Sequence, residues 1–143
     1  MATPNVNKRP KLQMSLLYTR LALDELGAPI FLGSFNQLEG PLPIRINFIV
    51  TNQYTNGLGS HRQRTIITDP EGRVVIESDE SDFHLRDAFS SHRVDERFGV
   101  AFARPGRYMV QVLLDEQPAI EYYFIIRERL QRPAQDEASA PNA

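Results

Sequence analysis

Glu77-Ser78-Asp79-Glu80-Ser81-Asp82 places four carboxylates within six residues. Such a stretch offers hard oxygen donors, the ligands Ca²⁺ prefers, and sandwich loops of this kind can hold that ion. The spacing departs from an EF-hand, because no glycine stands at the sharp turn and no glutamate closes the loop. His84 and Asp87, at i and i+3, would add ligands only if that segment were helical, and two residues do not complete a site. The plainer reading is a solvated acidic loop that also discourages edge-to-edge strand pairing.

Acyl-transfer chemistry needs a nucleophile, a base and a group to orient the base. The bases available are His61, His84 and His92, and none lies in a recognisable motif. Serines are frequent, but no Gly-x-Ser-x-Gly elbow occurs. A Ser-His-Asp triad would therefore have to assemble purely in space, and scattered surface histidines are the simpler expectation. His61-Arg62-Gln63-Arg64 puts Arg62 and Arg64 on one face of a strand, with Tyr54, Thr55 and Asn56 in the loop before it. That grouping could hold phosphate or a single nucleic-acid strand. The formal net charge of −2 opposes a polyanion, and Arg86, Arg93, Arg97, Arg104 and Arg107 are scattered among acids. Gly57-Leu58-Gly59 lacks the Gly-Lys and the helix of a phosphate loop. With no tryptophan, and most Phe and Tyr on core faces, a carbohydrate platform has little to build on.

The elements that would position these residues are read from alternation. Phe98, Val100 and Phe102 precede Arg104-Pro105-Gly106; Tyr108, Val110, Val112 and Leu114 follow; after Asp115-Glu116-Gln117-Pro118 come Ile120, Tyr122, Phe124 and Ile126. Period-two patterning puts each set on one covered face of a strand. Earlier, Met14–Leu23 and Ile30–Phe35 form a first pair of strands, with Gly33 marking a bulge or a close backbone approach. Ile44, Ile46, Phe48 and Val50 line a third strand, His61–Thr68 is the fourth, Asp69-Pro70-Glu71-Gly72 a tight turn, and Arg73–Glu77 the fifth. Phe83, Leu85 and Phe89 allow a short helical turn near 83–90 that packs over one end. About eight strands without a long helix predict an all-β, immunoglobulin-like antiparallel β-sandwich.

The chain has 143 residues, enough for one domain with a full core, and its hydrophobic fraction is 41%. Residues 1–11 and 131–143 hold almost no large apolar side chains and are read as flexible tails flanking a domain at 12–130. Without cysteine there is no disulfide, no thiolate chemistry and no Cys₄ zinc site. The stretch Leu12–Leu23 behind Lys8, Arg9 and Lys11 is too polar for a signal peptide, and no apolar run is long enough to span a bilayer. A cytoplasmic protein without cofactor, nucleic-acid partner or membrane partner is expected.

Leu16–Leu23, Gly33-Ser34-Phe35, Leu42-Pro43-Ile44, Asp69-Pro70-Glu71-Gly72 and Pro105-Gly106-Arg107-Tyr108 form an ordered series across residues 14–127. In this series the chain resembles a family of small bacterial proteins catalogued as a domain of unknown function. The resemblance implies a β-sandwich and no established activity or catalytic residue. It leaves function to the chain's own surface.

There the informative residues are apolar ones on faces expected to be wet. Ile49, Met109, Leu113, Tyr123 and Ile125 all oppose the core set of their strands. On adjacent strands they would form a contact patch, unless the N-terminal hairpin or the 83–89 segment covers them. The expected function is a non-enzymatic protein-interaction or structural module. It would bind a protein partner or a second copy through an exposed sheet face or edge strand. The alternative is a small-ligand or Ca²⁺-binding domain using the 77–92 loop.

Overall fold

The computed structural model describes residues 7–130, and these form eleven strands without a helix. One sheet has three strands in the order β1 (Lys11–Tyr18), β5 (Ile44–Thr55) and β9 (Ser91–Phe102). The other runs β4 (Gln37–Gly40), β11 (Gln117–Glu128), β10 (Gly106–Leu114), β6 (Gly59–Thr68). The far side of β6 is shared by β7 (Val74–Glu77), along Ile66–Thr68, and β8 (Ser81–Leu85), along Gly59–Gln63. A hairpin of β2 (Arg20–Leu23) and β3 (Pro29–Leu32) stands apart from both sheets. The result is the expected immunoglobulin-like sandwich, with β4 and β11 as a parallel pair in an otherwise antiparallel arrangement.

The core is built as the alternation requires. Phe48, Val50, Phe102, Tyr108, Val110, Val112 and Phe124 are buried between the sheets, whereas Phe98 and Tyr122 are only partly covered. Phe102, Tyr108 and Phe124 contact one another edge-on or stacked, with centroids 5.1–5.6 Å apart. The Tyr108 hydroxyl donates to the Arg104 carbonyl at 2.8 Å, forming the tyrosine corner typical of such sandwiches at the start of β10. The Asp69-Pro70-Glu71-Gly72 turn closes as expected, with Asp69 Oδ1 accepting from the backbone of Glu71 and Arg73 at 2.9 Å each.

Three local expectations change. The strand expected over Met14–Leu23 breaks after Tyr18, and the second half folds back as the β2–β3 hairpin. Gly33 permits this by adopting φ +70 against Thr19, whose Oγ1 would lie 2.1 Å from any Cβ at that position. The helical turn near 83–90 does not form. Phe83 and Leu85 are both buried, which is strand spacing, so the segment is β8; an Asp87-centred turn follows, and Phe89 is 98% exposed. Finally, the expected tail over 1–11 is engaged where described. Lys8 and Leu58 exchange backbone hydrogen bonds at 3.0 Å, and Arg9 donates to the carbonyls of Leu114 and Pro118 at 3.2 Å. Residues 1–6 and the expected tail at 131–143 lie outside the described residues.

Candidate functional site

The acidic stretch and the basic cluster, separate in sequence, meet in space. Because β7 and β8 both pair with β6, Glu77 and Glu80 arrive beside the outward-facing Arg64 and Arg62. Arg64 pairs with Glu77 and with Glu116, the latter at 2.9 Å; Arg62 lies 3.4 Å from Glu80 and directly opposite Asp82 in register. Each group supplies the other's counter-charge. Exposed pairs of this type contribute only about 0–1 kcal/mol apiece, so they set strand order more than stability. Among the described residues no three metal-ligating side chains are grouped to hold an ion. Gly57-Leu58-Gly59 is also structural: Gly57 lies flush against Pro10, and Leu58 pairs with Lys8.

Two of the three histidines pack against Phe83 of β8. His92 stacks on the Phe83 ring at 5.1 Å, His61 lies tilted against it at 5.8 Å, and His84 is its neighbour in sequence. His61 is buried, with Nδ1 2.7 Å from Asp115 Oδ2 and Nε2 2.8 Å from the Leu58 carbonyl. Burial raises the Asp115 carboxyl, but the His61 hydrogen bond, the Arg62 N–H at 2.9 Å and the Arg9 charge outweigh it. The net result holds Asp115 below the usual carboxylate range. Ser60 Oγ lies 3.0 Å from His84 Nδ1 on the exposed side of β6 and β8. The Ser–His and His–Asp contacts a triad requires thus fall on different imidazoles. Ser60, Arg62, Asp82, His84 and Asp115 rim an open cavity of about 590 Å³ with His61 and Phe83 at its wall.

A polar chain that sequence reasoning missed crosses the interior. Ser15 bonds both Tyr122 and Asn52 at 2.7 Å; Asn52 Nδ2 donates to Gln63 Oε1 at 2.9 Å; Gln63 Nε2 and Thr65 Oγ1 donate to Glu96 Oε1 at 3.0 and 2.8 Å. Asn52, Gln63 and Thr65 are all buried, and burial pushes the Tyr122 phenol up to about 12 against the opposing Ser15 bond. The only sequence signal was polar residues at core-parity positions of β5 and β6.

The expected apolar patch is partly assembled. Met109 and Tyr123 are directly opposed across β10 and β11, Ile125 lies two residues on, and all three are exposed or half-exposed. Register carries the stripe through Thr68 of β6 to Val74 of β7, which is 56% exposed and was not anticipated. Arg107 rests over the Tyr123 ring at 4.2 Å. Two members are corrected. Ile49 is 2% exposed because its in-register neighbour Tyr18 lies on the side covered by Phe31 of the β2–β3 hairpin. Leu113 is 8% exposed, enclosed by its cross-strand neighbours Arg64 and Pro118.

No family model matches the chain, and no curated protein does so. Among solved structures, it is similar to part of a glycosyl hydrolase family 2 member from Bacteroides cellulosilyticus, with 15% identity and a TM-score of 0.48. That match covers 82% of this chain and 15% of the other. A beta-glucosidase from Listeria innocua gives 13% identity and a TM-score of 0.46, with coverage of 77% and 19%. The CARDB domain of a Pyrococcus furiosus protein, in complex with di-metal ions, gives 10% and 0.42, with coverage of 83% and 97%. The chain spans only a small part of either glycosidase, and likeness at this level concerns fold alone. Among the described residues no helix is long and apolar enough to cross a membrane.

Proposed function

We propose that this β-sandwich is a protein-interaction module that binds a partner protein or a second copy through the outer face of its larger sheet. The observation that carries the reading is the stripe of Val74, Met109, Tyr123 and Ile125 across neighbouring strands, exposed or half-exposed, with the Arg107 guanidinium over the Tyr123 ring. Contiguous apolar surface of this kind marks contact sites more often than isolated exposed side chains do. The charged groups nearby are paired, and the histidine contacts are divided between two rings, so neither competes as the main working surface. Native mass by light scattering, with recovery of co-purifying protein, tests the reading. The double variant Met109→Lys/Tyr123→Ser should lower the mass or release the partner while the melting temperature stays close to the parent. An unchanged mass and partner set would sink it.

A second reading, a small-ligand domain using the 77–92 segment, is favoured by the 590 Å³ cavity beside Asp82 and His84. A melting temperature that rises with added Ca²⁺ or small anions would support it, since a ligand bound only by the native state stabilises that state.

A further inference from the structure

We infer that β9 is a second contact element, at which two copies of this chain join edge to edge as antiparallel strands. This deepens the interaction-module reading but rests on a different surface. β9 is twelve residues long, pairs with β5 through an unbroken register from Ile44↔Phe102 to Thr55↔Ser91, and ends the smaller sheet. Other edges are blunted in the ways sandwiches usually use. β1 carries a bulge between Leu12 and Met14, β7 pairs through another, and β4, β7 and β8 are only four or five residues long. β9 has neither bulge nor proline.

Its side chains point to a strand as the missing neighbour. Phe98 and Val100 face the core yet remain half-exposed, although Val94 and Phe102 on the same face are buried. Gly99 and Ala101 lie on the opposite face, and shallow depressions of about 320 and 350 Å³ flank Gly99. Three strands facing a sheet five strands across leave this margin of the core uncovered. A further strand along β9 would satisfy its free backbone groups and close over Phe98 and Val100.

Charge complementarity selects the occupant. A two-fold axis can pair β9 with itself only in registers that keep core-facing residues together. With the axis at Glu96, Asp95 meets the other copy's Arg97, Arg97 meets its Asp95, and Val94 meets Phe98. Moving the axis by one residue either way would oppose Asp95 to Asp95 or Arg97 to Arg97. This axis also sets Glu96 opposite Glu96, but each Glu96 side chain is turned into its own domain, accepting from Gln63 and Thr65. Asp95 is held ready by Thr51 Oγ1 at 2.7 Å and Arg93 Nε at 3.2 Å.

Native mass by light scattering against concentration tests this for the parent, Arg97→Glu, Arg97→Lys and the Met109→Lys/Tyr123→Ser variant. Arg97→Glu should weaken self-association roughly tenfold or more, because two attractive cross-strand pairs become repulsive. Arg97→Lys should retain most of it. Arg97 is exposed, so the melting temperature of each variant reports whether the fold survives. Self-association abolished by the sheet-face variant but indifferent to Arg97→Glu would overturn the edge pairing and leave the sheet-face reading standing. A parent monomeric at every concentration would overturn the edge pairing outright, and partner recovery would then decide the sheet-face reading alone.

Discussion

Replacing Asp115 probes the polar contact that ties the β10–β11 turn to β6. Asp115 and Glu116 form the β10–β11 turn with φ of 50 and 65, a conformation that suits Asp far better than alanine. The Asp115 carboxylate accepts from His61 Nδ1 and from the Arg62 N–H. In Asp115→Ala the Arg62 N–H is exposed and finds water, whereas buried His61 is left with an orphan donor, worth about 1–3 kcal/mol. Left-handed backbone adds about 1 kcal/mol more. Because 41% of the Asp115 side chain is exposed, screening trims the total to about 2 kcal/mol. For a domain of this size that is a fall of about 6–8 °C in melting temperature. Asp115→Asn keeps the turn preference and an acceptor, so its loss should be nearer 1 kcal/mol. The sign of the pH dependence follows from the depressed carboxyl. Its contribution is fully present above the unfolded value of about 3.9 and disappears as pH falls through the lower folded value. Urea melts from pH 7 to 2.5 should therefore show parent and Asp115→Asn converging at the acid end. A constant gap across that range, or Asp115→Ala within about 0.5 kcal/mol of the parent at pH 7, would refute the reasoning.

Further outcomes follow from the same structure. Tyr108→Phe keeps the ring stack and removes only the bond to Arg104, so urea unfolding should show a loss of about 1 kcal/mol. Phe83→Ala removes the ring that Tyr54, His61 and His92 pack against; a loss of about 3–5 kcal/mol is expected, with hydrogen exchange rising first across β8. Gly33→Ala should destabilise by at least about 1 kcal/mol, from its positive φ and the Thr19 hydroxyl, as read by thermal melting.

How far the sequence carries can be seen residue by residue. Alternation placed Phe102, Tyr108, Val110, Val112 and Phe124 in the core because a half-buried strand has no other way to hide that set. It misassigned Ile49 and Leu113 because burial of an outward face depends on what folds over it. In one case that was a hairpin released by Gly33, in the other Arg64 and Pro118 on neighbouring strands. Phe83 and Leu85 were read with Phe89 as a helical turn, yet i, i+2 spacing alone was the strand signal. The charged segments misled for a related reason. A local reading sees six acidic-rich residues or two arginines, and only strand order reveals that they are each other's partners.

That strand order also explains why the interior tolerates Asn52, Gln63 and Thr65. A sheet of apolar strands can slip by two residues with little penalty, since each face stays on its own side. A buried amide cannot, because its donors and acceptors would then lose their partners at about 1–3 kcal/mol each. Asn52 on β5, Gln63 and Thr65 on β6, and Glu96 on β9 tie the smaller sheet to the larger at one relative position. His61 and Asp115 fix the β10–β11 turn to β6 in the same way. Both networks act on β6, the strand that also gathers β7, β8 and β10. The outer stripe from Val74 to Tyr123 crosses that strand, so its continuity depends on a register held from within. Without such fixing, a slip of one strand would scatter Val74, Met109 and Tyr123 without unfolding anything.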